Sequence, residues 1–227
     1  MDNAFQKMLP NYFSPDELNT IRLVKIGIAG LGGLGSNCAM NLARCGFTRF
    51  VAVDFDSVEA TNLNRQAYFP EHIGRLKTDC LVELLRTLNP AIVIEMHAVR
   101  IDSTNVQVIF GECDVIIEAF DHPECKALLI QTFMNSGKLL VSVSGLAGYG
   151  SSDRIVTRKI HDRFFLIGDS VSAVSERLKP YAPCVAIAAA KQADVVLDWV
   201  LNTMRKEGKS FAFAASSVDR KTALPHP

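Results

Sequence analysis

The sequence predicts one α/β domain of the doubly wound kind: a mostly parallel sheet, helices on both faces, and antiparallel strands toward the C-terminus. Three observations predict it. Strand and helix signals alternate over the first two thirds of the chain, which is the order that builds parallel sheets. The first strand signal runs straight into a glycine cluster and then a helix, 26-IGIAGLGGLGSNCAMNLARCGF-47. The length, 227 residues, suffices for one sizeable core and is short for two.

The elements follow in order. In SPDEL, Ser14 is placed to cap a first helix with Pro15 in its first turn. RLVKIGIA reads as a buried strand, Ser36 to Arg44 as a helix, and Arg49 to Asp54 as a second strand. Lys77 to Leu88 is a helix stopped by Asn89-Pro90, and AIVIEMHAV is a third strand with apolar–polar alternation. A helical stretch at Thr104–Phe110 leads to the strand DVIIEAF, residues 123–136 return as a helix, and KLLVSVSG is the next strand. After Gly145 the texture changes: a glycine-rich turn, then DRIVTRKI and RFFLIGD as an antiparallel pair. An apolar helix starts at Ala182-Pro183 and runs to about Met204. The reading divides the chain into a leader at 1–20, a body at 21–205 and a polar, loosely held tail at 206–227.

Bulk properties exclude several function classes. Basic and acidic residues balance at 24 each, so nothing advertises a nucleic-acid or membrane-surface partner. No apolar run reaches the roughly 20 residues of a membrane span, and MDNAFQKMLP lacks the form of a secretory signal. The expectation is a cytoplasmic protein. The six cysteines form no C-x-x-C pair, so neither a disulfide framework nor a structural zinc is expected.

Gly30, Gly32, Gly33 and Gly35 sit between strand and helix, and three of them satisfy G-x-G-x-x-G. Glycine allows the tight turn and lets backbone N–H groups approach an anion, to which the helix N-terminus adds its dipole. Asp54, ending the second strand, is placed to accept hydrogen bonds from a ribose. This loop alone does not separate a hydride carrier such as NAD from a nucleotide that is cleaved.

The following stretch, 54-DFDSVEATNLNRQAYFPEHIGRLKTD-79, offers Asn62, Arg65 and Lys77 after the carboxyl end of the second strand, where ligands gather in open α/β sheets. Asn62 and Arg65, three apart, share a face of a short helical turn. A guanidinium and an ammonium converging on phosphates stabilise charge that builds up during nucleotidyl transfer. Asp121, ending DVIIEAF at the same edge, suits Mg²⁺, although Asp121-His122-Pro123 also reads as a simple helix cap. Isolated, each of these charges reads as ordinary surface; together at one sheet edge they read as a site.

These residues resemble the ThiF/MoeB/HesA family, relatives of the ubiquitin-activating enzymes. The resemblance covers roughly residues 20–200 and rests on G-L-G-G-L-G-S, D-F-D-S-V-E-x-T-N-L-N-R-Q, the G-x-x-K of Gly74–Lys77 and A-F-D at 119–121. S-G-L-A-G at 144–148 and A-P-x-V-x-I-A-A-x-x-Q-A at 182–193 make it most similar to the short thiamine-biosynthesis members. The resemblance implies that MgATP adenylates the C-terminal glycine of a small ubiquitin-like sulfur carrier ending in Gly-Gly, with release of pyrophosphate. It implies that Gly30, Gly32, Gly33 and Gly35 line the ATP phosphates and that Asp54 and Asp56 belong to the nucleotide site, Asp54 on the ribose. Asn62, Arg65 and Lys77 would contact phosphates, and Asp121 would bind magnesium. Gln66 completes the motif without an assigned role. The resemblance also implies a homodimer.

The sequence departs from the family in places. The arginine-rich leader of many members is missing, so either Lys7 or Arg22 substitutes or the site is complete without it. Cys184 is the one candidate for a covalent link to the carrier between residues 150 and 184, but it sits in an apolar seam and reads as packing. The glycine run at 145–150 is either a turn or a slot for a thin Gly-Gly tail. Two further enzyme readings remain: adenylation of another substrate, such as tRNA threonylcarbamoyladenosine, and an NAD-dependent oxidoreductase. A non-enzymatic scaffold that binds nucleotide and carrier without turnover is the fourth.

Overall fold

The computed structural model describes residues 3–207 except 151 and 176, with side chains up to residue 202. The predicted tail at 206–227 lies outside the described residues from 208 onward. Helix α1 (Ala4–Met8) leads through a short turn to α2 (Pro15–Leu23), whose start carries the predicted cap. The Ser14 hydroxyl accepts the Glu17 N–H and the Glu17 carboxylate accepts the Ser14 N–H, a reciprocal box at a helix N-terminus. That helix runs on to Leu23, so the first strand, β1 (Lys25–Ala29), begins three residues later than the apolar run RLVKIGIA indicates.

Helix α3 (Gly33–Arg44), strand β2 (Arg49–Val53), helix α4 (Lys77–Leu88) and strand β3 (Val93–His97) follow. Next come α5 (Val106–Phe110), β4 (Val115–Glu118), α6 (Pro123–Phe133) and β5 (Leu139–Val143). The hairpin β6 (Val156–His161) and β7 (Phe164–Gly168) leads to the long helix α7 (Ala182–Glu207). Helix α3 starts three residues before Ser36 because the glycines themselves form its first turn.

The seven strands order as β3-β2-β1-β4-β5-β7-β6, with every neighbouring pair parallel except β6 with β7. The antiparallel pairing is therefore confined to one edge. The central strands are apolar on both faces, and their alternate residues divide between two cores. Phe50 and Ala52, with Val115 and Ile117, face the layer of α2, α3, α4 and α7. Val51, Val53 and Ile116 face α5 and α6. Along α7, Val185, Ala188, Ala189, Val196 and Val200 form a buried stripe at helical spacing against the core that includes Cys38, Ala39 and Leu42 of α3. Strand β3 is an edge strand, so its alternation is blurred and Val93 is exposed.

Chain order reverses between β1 and β4, and the loops after their carboxyl ends diverge to opposite faces. This is the place where such a sheet opens a crevice. Two glycines decide its shape. Gly30 turns with φ +95°, and a Cβ there would lie 2.8 Å from the Ala119 carbonyl oxygen. A Cβ on Gly35 would lie 1.8 Å from the Gly30 carbonyl oxygen, so α3 packs onto the end of β1 backbone to backbone. Gly35→Ala is expected to cost about 3 kcal/mol or more by overpacking, read as a fall in the urea midpoint. Gly32→Ala, with nothing nearer than 3.8 Å to its new methyl, is expected to leave the unfolding free energy within about 0.5 kcal/mol of the parent.

Candidate active site

A cavity of about 960 Å³ occupies the crevice. It is lined by Gly30, Gly32 and Gly33, by Asp54, Asp56, Asn62, Arg65 and Lys77, and by Asp121 from the far side. The structure thus brings together nine of the ten residues that the sequence nominates. Gly35 is the exception. It is closed under the Gly30 carbonyl, so its service is to seat the helix, and the expectation that it lines phosphates is corrected.

Helix α3 has Gly32 at its N-cap position and no side-chain cap, so its first N–H groups are left for an anion in the cavity. Asp54 organises the loop from the next strand. Its carboxylate accepts the Leu31 N–H at 2.7 Å and the Asp56 N–H at 2.9 Å. Burial raises its pKa above the usual aspartate value, outweighing the Lys77 ammonium and the two N–H donors, which act the other way.

Lys77 reaches this point through a small antiparallel contact. Val58 N–H donates to the Arg75 carbonyl, Lys77 N–H to the Asp56 carbonyl, and Ser57 pairs with Leu76. The lysine therefore starts α4 directly beside the acids. Its Nζ lies 2.7 Å from Asp56 Oδ2 and 3.8 Å from Asp54 Oδ1, with the side chain 8% exposed. Two carboxylates hold a nearly buried ammonium at the cavity wall, which makes Asp56 the immediate counter-ion of Lys77.

The N-L-N-R-Q run is fastened to α3 by groups the sequence reading passed over. Ser36 donates its hydroxyl to the Gly32 carbonyl and accepts the Ala67 N–H. Asn37 donates to the carbonyls of Gly33, at 2.6 Å, and Arg65, at 2.9 Å. Tyr68, buried, donates to the Leu31 carbonyl at 2.9 Å and lies 3.4 Å from that of Lys77. The signal for these residues was present as polar side chains on otherwise apolar faces, but nothing in one dimension named their partners. Asn62 accepts the Glu59 N–H through its own amide oxygen and so closes the turn that carries it. Arg65 spends one guanidinium nitrogen on Thr61 O and Asn64 Oδ1 and keeps the rest of its fork for the cavity. Gln66 lines the cavity as well, and its amide oxygen is buried without a hydrogen-bond partner.

Asp121 does not cap the following helix: α6 has His122 at its N-cap position and no side-chain bond there. The Asp121 carboxylate is 92% exposed, with His122 Nε2 at 3.8 Å. Among the described residues no group of three or more His, Cys, Asp or Glu side chains could hold a metal. One unencumbered carboxylate at the rim fits a Mg²⁺ that arrives with nucleotide phosphates rather than a resident ion. Close by, Glu118 at the end of β4 is fully buried and paired with Lys126, a cavity-lining cation that the sequence reading did not single out. It is the fourth residue of α6, and nothing in the sequence ties it to a buried partner.

Cys184 lies in the first turn of α7, 2% exposed within the main core, which accords with packing. The glycine run at 145–150 is a turn laced to the segment leading into α7: Ala147 N–H donates to Ser172 Oγ, Gly148 N–H to the Lys179 carbonyl, and Arg154 pairs with Asp169 at 3.2 Å. Gly145 and Leu146 also border the cavity. Lys7 and Arg22 are not among the residues lining it. Their helices pack at the opposite end of the sheet, with Leu9 against Gly46 and Gln6 on Asn89.

Comparison with known proteins places this geometry. Emericella nidulans adenylyltransferase and sulfurtransferase uba4 is 36% identical over 146 residues, covering 64% of this chain and 30% of that protein. Rice (Oryza sativa subsp. japonica) ubiquitin-like modifier-activating enzyme 5 is 31% identical over 150 residues, 57% of this chain and 36% of that protein. The chain thus spans about a third of the length of these curated relatives. Among solved structures, Escherichia coli tRNA N6-threonylcarbamoyladenosine dehydratase, TcdA, in complex with ATP shares the fold with a TM-score of 0.81 at 19% identity, covering 89% of this chain and 96% of that one. E. coli MccB with AMPCPP and MccA follows at a TM-score of 0.63 and 22% identity, covering 82% and 58%. The ThiF family profile matches residues 5–225. The chain belongs to the ThiF family.

Proposed function

We propose that the protein is an ATP-using adenylyltransferase that activates a substrate carboxylate as its acyl-adenylate. The observation that carries this reading is the meeting, around one cavity, of an uncapped helix N-terminus, two cations held by neighbouring groups and a free carboxylate. A carboxylate is a poor acyl donor because oxide is a poor leaving group. Its oxygen attacks the α-phosphorus of ATP, the bond to the β-phosphate oxygen breaks, and the electron pair leaves on pyrophosphate. Two anions must approach each other for this, so the site's work is to position them and neutralise the charge that builds up. Asp54 holds the ribose, the glycine loop and α3 receive the phosphates, and Asn62, Arg65 and Lys77 stabilise the transferring group. Asp121 would hold Mg²⁺ together with the nucleotide phosphates, and the ion would supply further charge neutralisation.

For the substrate we take the C-terminal glycine of a small ubiquitin-like sulfur carrier ending in Gly-Gly, in thiamine thiazole biosynthesis. The relatives' names support the class: an adenylyltransferase and sulfurtransferase, and an activating enzyme of ubiquitin-like modifiers. A homodimer and a cytoplasmic setting belong to the same proposal, as do the limits 21–205 for its adenylation domain; no helix among the described residues is long and apolar enough to cross a membrane. A second reading, adenylation of a carboxylate carried on tRNA, is favoured by the near-complete coverage of TcdA. The balanced charge of the chain, 24 against 24, speaks against it. ATP–pyrophosphate exchange with either a Gly-Gly carrier or modified tRNA distinguishes the two.

Three outcomes test the reading. Arg65→Ala is expected to lower carrier-dependent ATP–pyrophosphate exchange about 100-fold or more; exchange at the parental rate would remove Arg65 from the mechanism. Asp121→Ala is expected to lower MgATP-dependent exchange about 100-fold while AMP binding measured without metal is retained. Asp54 must be ionised to receive ribose hydroxyls, and burial lifts its pKa. On acidification it therefore takes up its proton earlier than an ordinary aspartate, so AMP affinity should begin to fall above the usual aspartate range. Asp54→Asn should flatten that profile in calorimetric titrations.

A further inference from the structure

Glu118 presents an oddity that the mechanism above leaves unused. Its side chain is 0% exposed at the carboxyl end of β4, yet it carries a carboxylate. Both carboxylate oxygens are engaged from within the protein. Ser142 donates its hydroxyl at 2.5 Å, the Phe120 N–H donates at 2.9 Å to the other oxygen, and the Lys126 ammonium sits on the same oxygen as Ser142. Lys126 makes one more bond, to the Val143 carbonyl at 3.0 Å. An ammonium has three donors, so one N–H has no protein partner among the described residues. The side chain is 27% exposed and lines the cavity.

A buried ion pair of this kind is weak evidence for stability, since apolar residues of similar size serve a core equally well. What the pair does accomplish is placement. A lysine has a long flexible stem and loses its precision unless it is held. Glu118 and the Val143 carbonyl hold this one at two points, between Asp121, three residues after Glu118, and Gly145, two residues after Val143. Arg65 and Lys77 stand across the strand reversal, on the β1 and β2 side. On the far side of the crevice, Lys126 is a cation fixed by its protein partners at the cavity wall.

Resting on the adenylation reading, we infer that Lys126 is a substrate-contacting residue that receives the acyl group. One carboxylate oxygen forms the bond to the α-phosphorus and the electron pair leaves on pyrophosphate. The other oxygen, which becomes the acyl carbonyl, accepts the remaining Lys126 N–H, and no proton changes hands. Pairing with Glu118 tempers the ammonium, so it orients the nucleophile without binding it as a tight ion pair that would hold back attack.

The test compares the affinities of AMP and of glycylglycyl-sulfamoyladenosine, an acyl-adenylate mimic, by calorimetric titration. The proteins are the parent chain, Lys126→Met, Lys126→Arg and the double variant Glu118→Gln/Lys126→Met. The double variant removes both charges and leaves an amide for Ser142, so it reports on folded protein even where the single methionine variant does not fold. Support is a parent chain that binds the mimic at least about tenfold tighter than AMP, a preference lost in the double variant and kept in Lys126→Arg, with AMP affinity unchanged throughout. If the double variant keeps the preference, Lys126 merely neutralises Glu118 and the inference falls while the adenylation reading stands. If the parent binds neither compound, or binds the mimic no better than AMP, the adenylation reading fails and takes the inference with it.

Discussion

The site depends on one close approach. With no side chain between them, the backbone of Gly35 lies against the carbonyl oxygen of Gly30, where a methyl would stand 1.8 Å away. That contact brings the first turn of α3 down onto the end of β1 and turns its uncapped N–H groups toward the crevice. Four polar side chains are then fastened to this turn. Asp54 takes the Leu31 N–H, Tyr68 the Leu31 carbonyl, Ser36 the Gly32 carbonyl, and Asn37 the Gly33 carbonyl. A single backbone bend thereby aligns the second strand, the N-L-N-R-Q run and the start of α4.

Concentrated positive charge is costly without an anion to meet it, and the protein manages this by giving each cation a local partner. Lys77 has Asp56 at 2.7 Å and Asp54 at 3.8 Å, Lys126 has Glu118, and Arg65 is held by Thr61 and Asn64. The partners also orient the cations, so the field in the crevice exists before any ligand enters. Such preorganised charge is the form of electrostatic stabilisation that needs no rearrangement during reaction. Asp121 stands apart as an exposed carboxylate with neither a lysine nor an arginine paired to it among the described residues, only His122 Nε2 at 3.8 Å, which leaves it able to share a divalent ion with phosphates.

The fold was legible where local chemistry and periodicity agree. Helix α4 begins at Lys77 and ends at Leu88, as its spacing and the Asn89-Pro90 stop indicate, and the Ser14 cap forms as read. Boundaries failed where an apolar run crosses from helix to strand, as at Arg22–Ala29, because burial is shared by both elements and does not mark the junction. In the site, acids and bases at strand ends were visible because strand ends are where ligands gather. Gly35 was misplaced because G-x-G-x-x-G does not say which glycine faces the ligand and which the strand. Lys126 was passed over because nothing in the sequence ties it to a buried partner.

By itself, the sequence determined the alternating order of elements, the glycine turn and the identity of the chemical groups, because each follows from residues within a few positions of one another. Only the tertiary structure decided which of those groups meet. The pairing of Lys77 with Asp56, of Asn37 with the Arg65 carbonyl and of Lys126 with Glu118 depends on the strand reversal between β1 and β4 and on loops folding back across it. The physical reason is that hydrogen bonds and ion pairs act over a few ångströms of space. Distance along the chain does not report that separation once the sheet has closed.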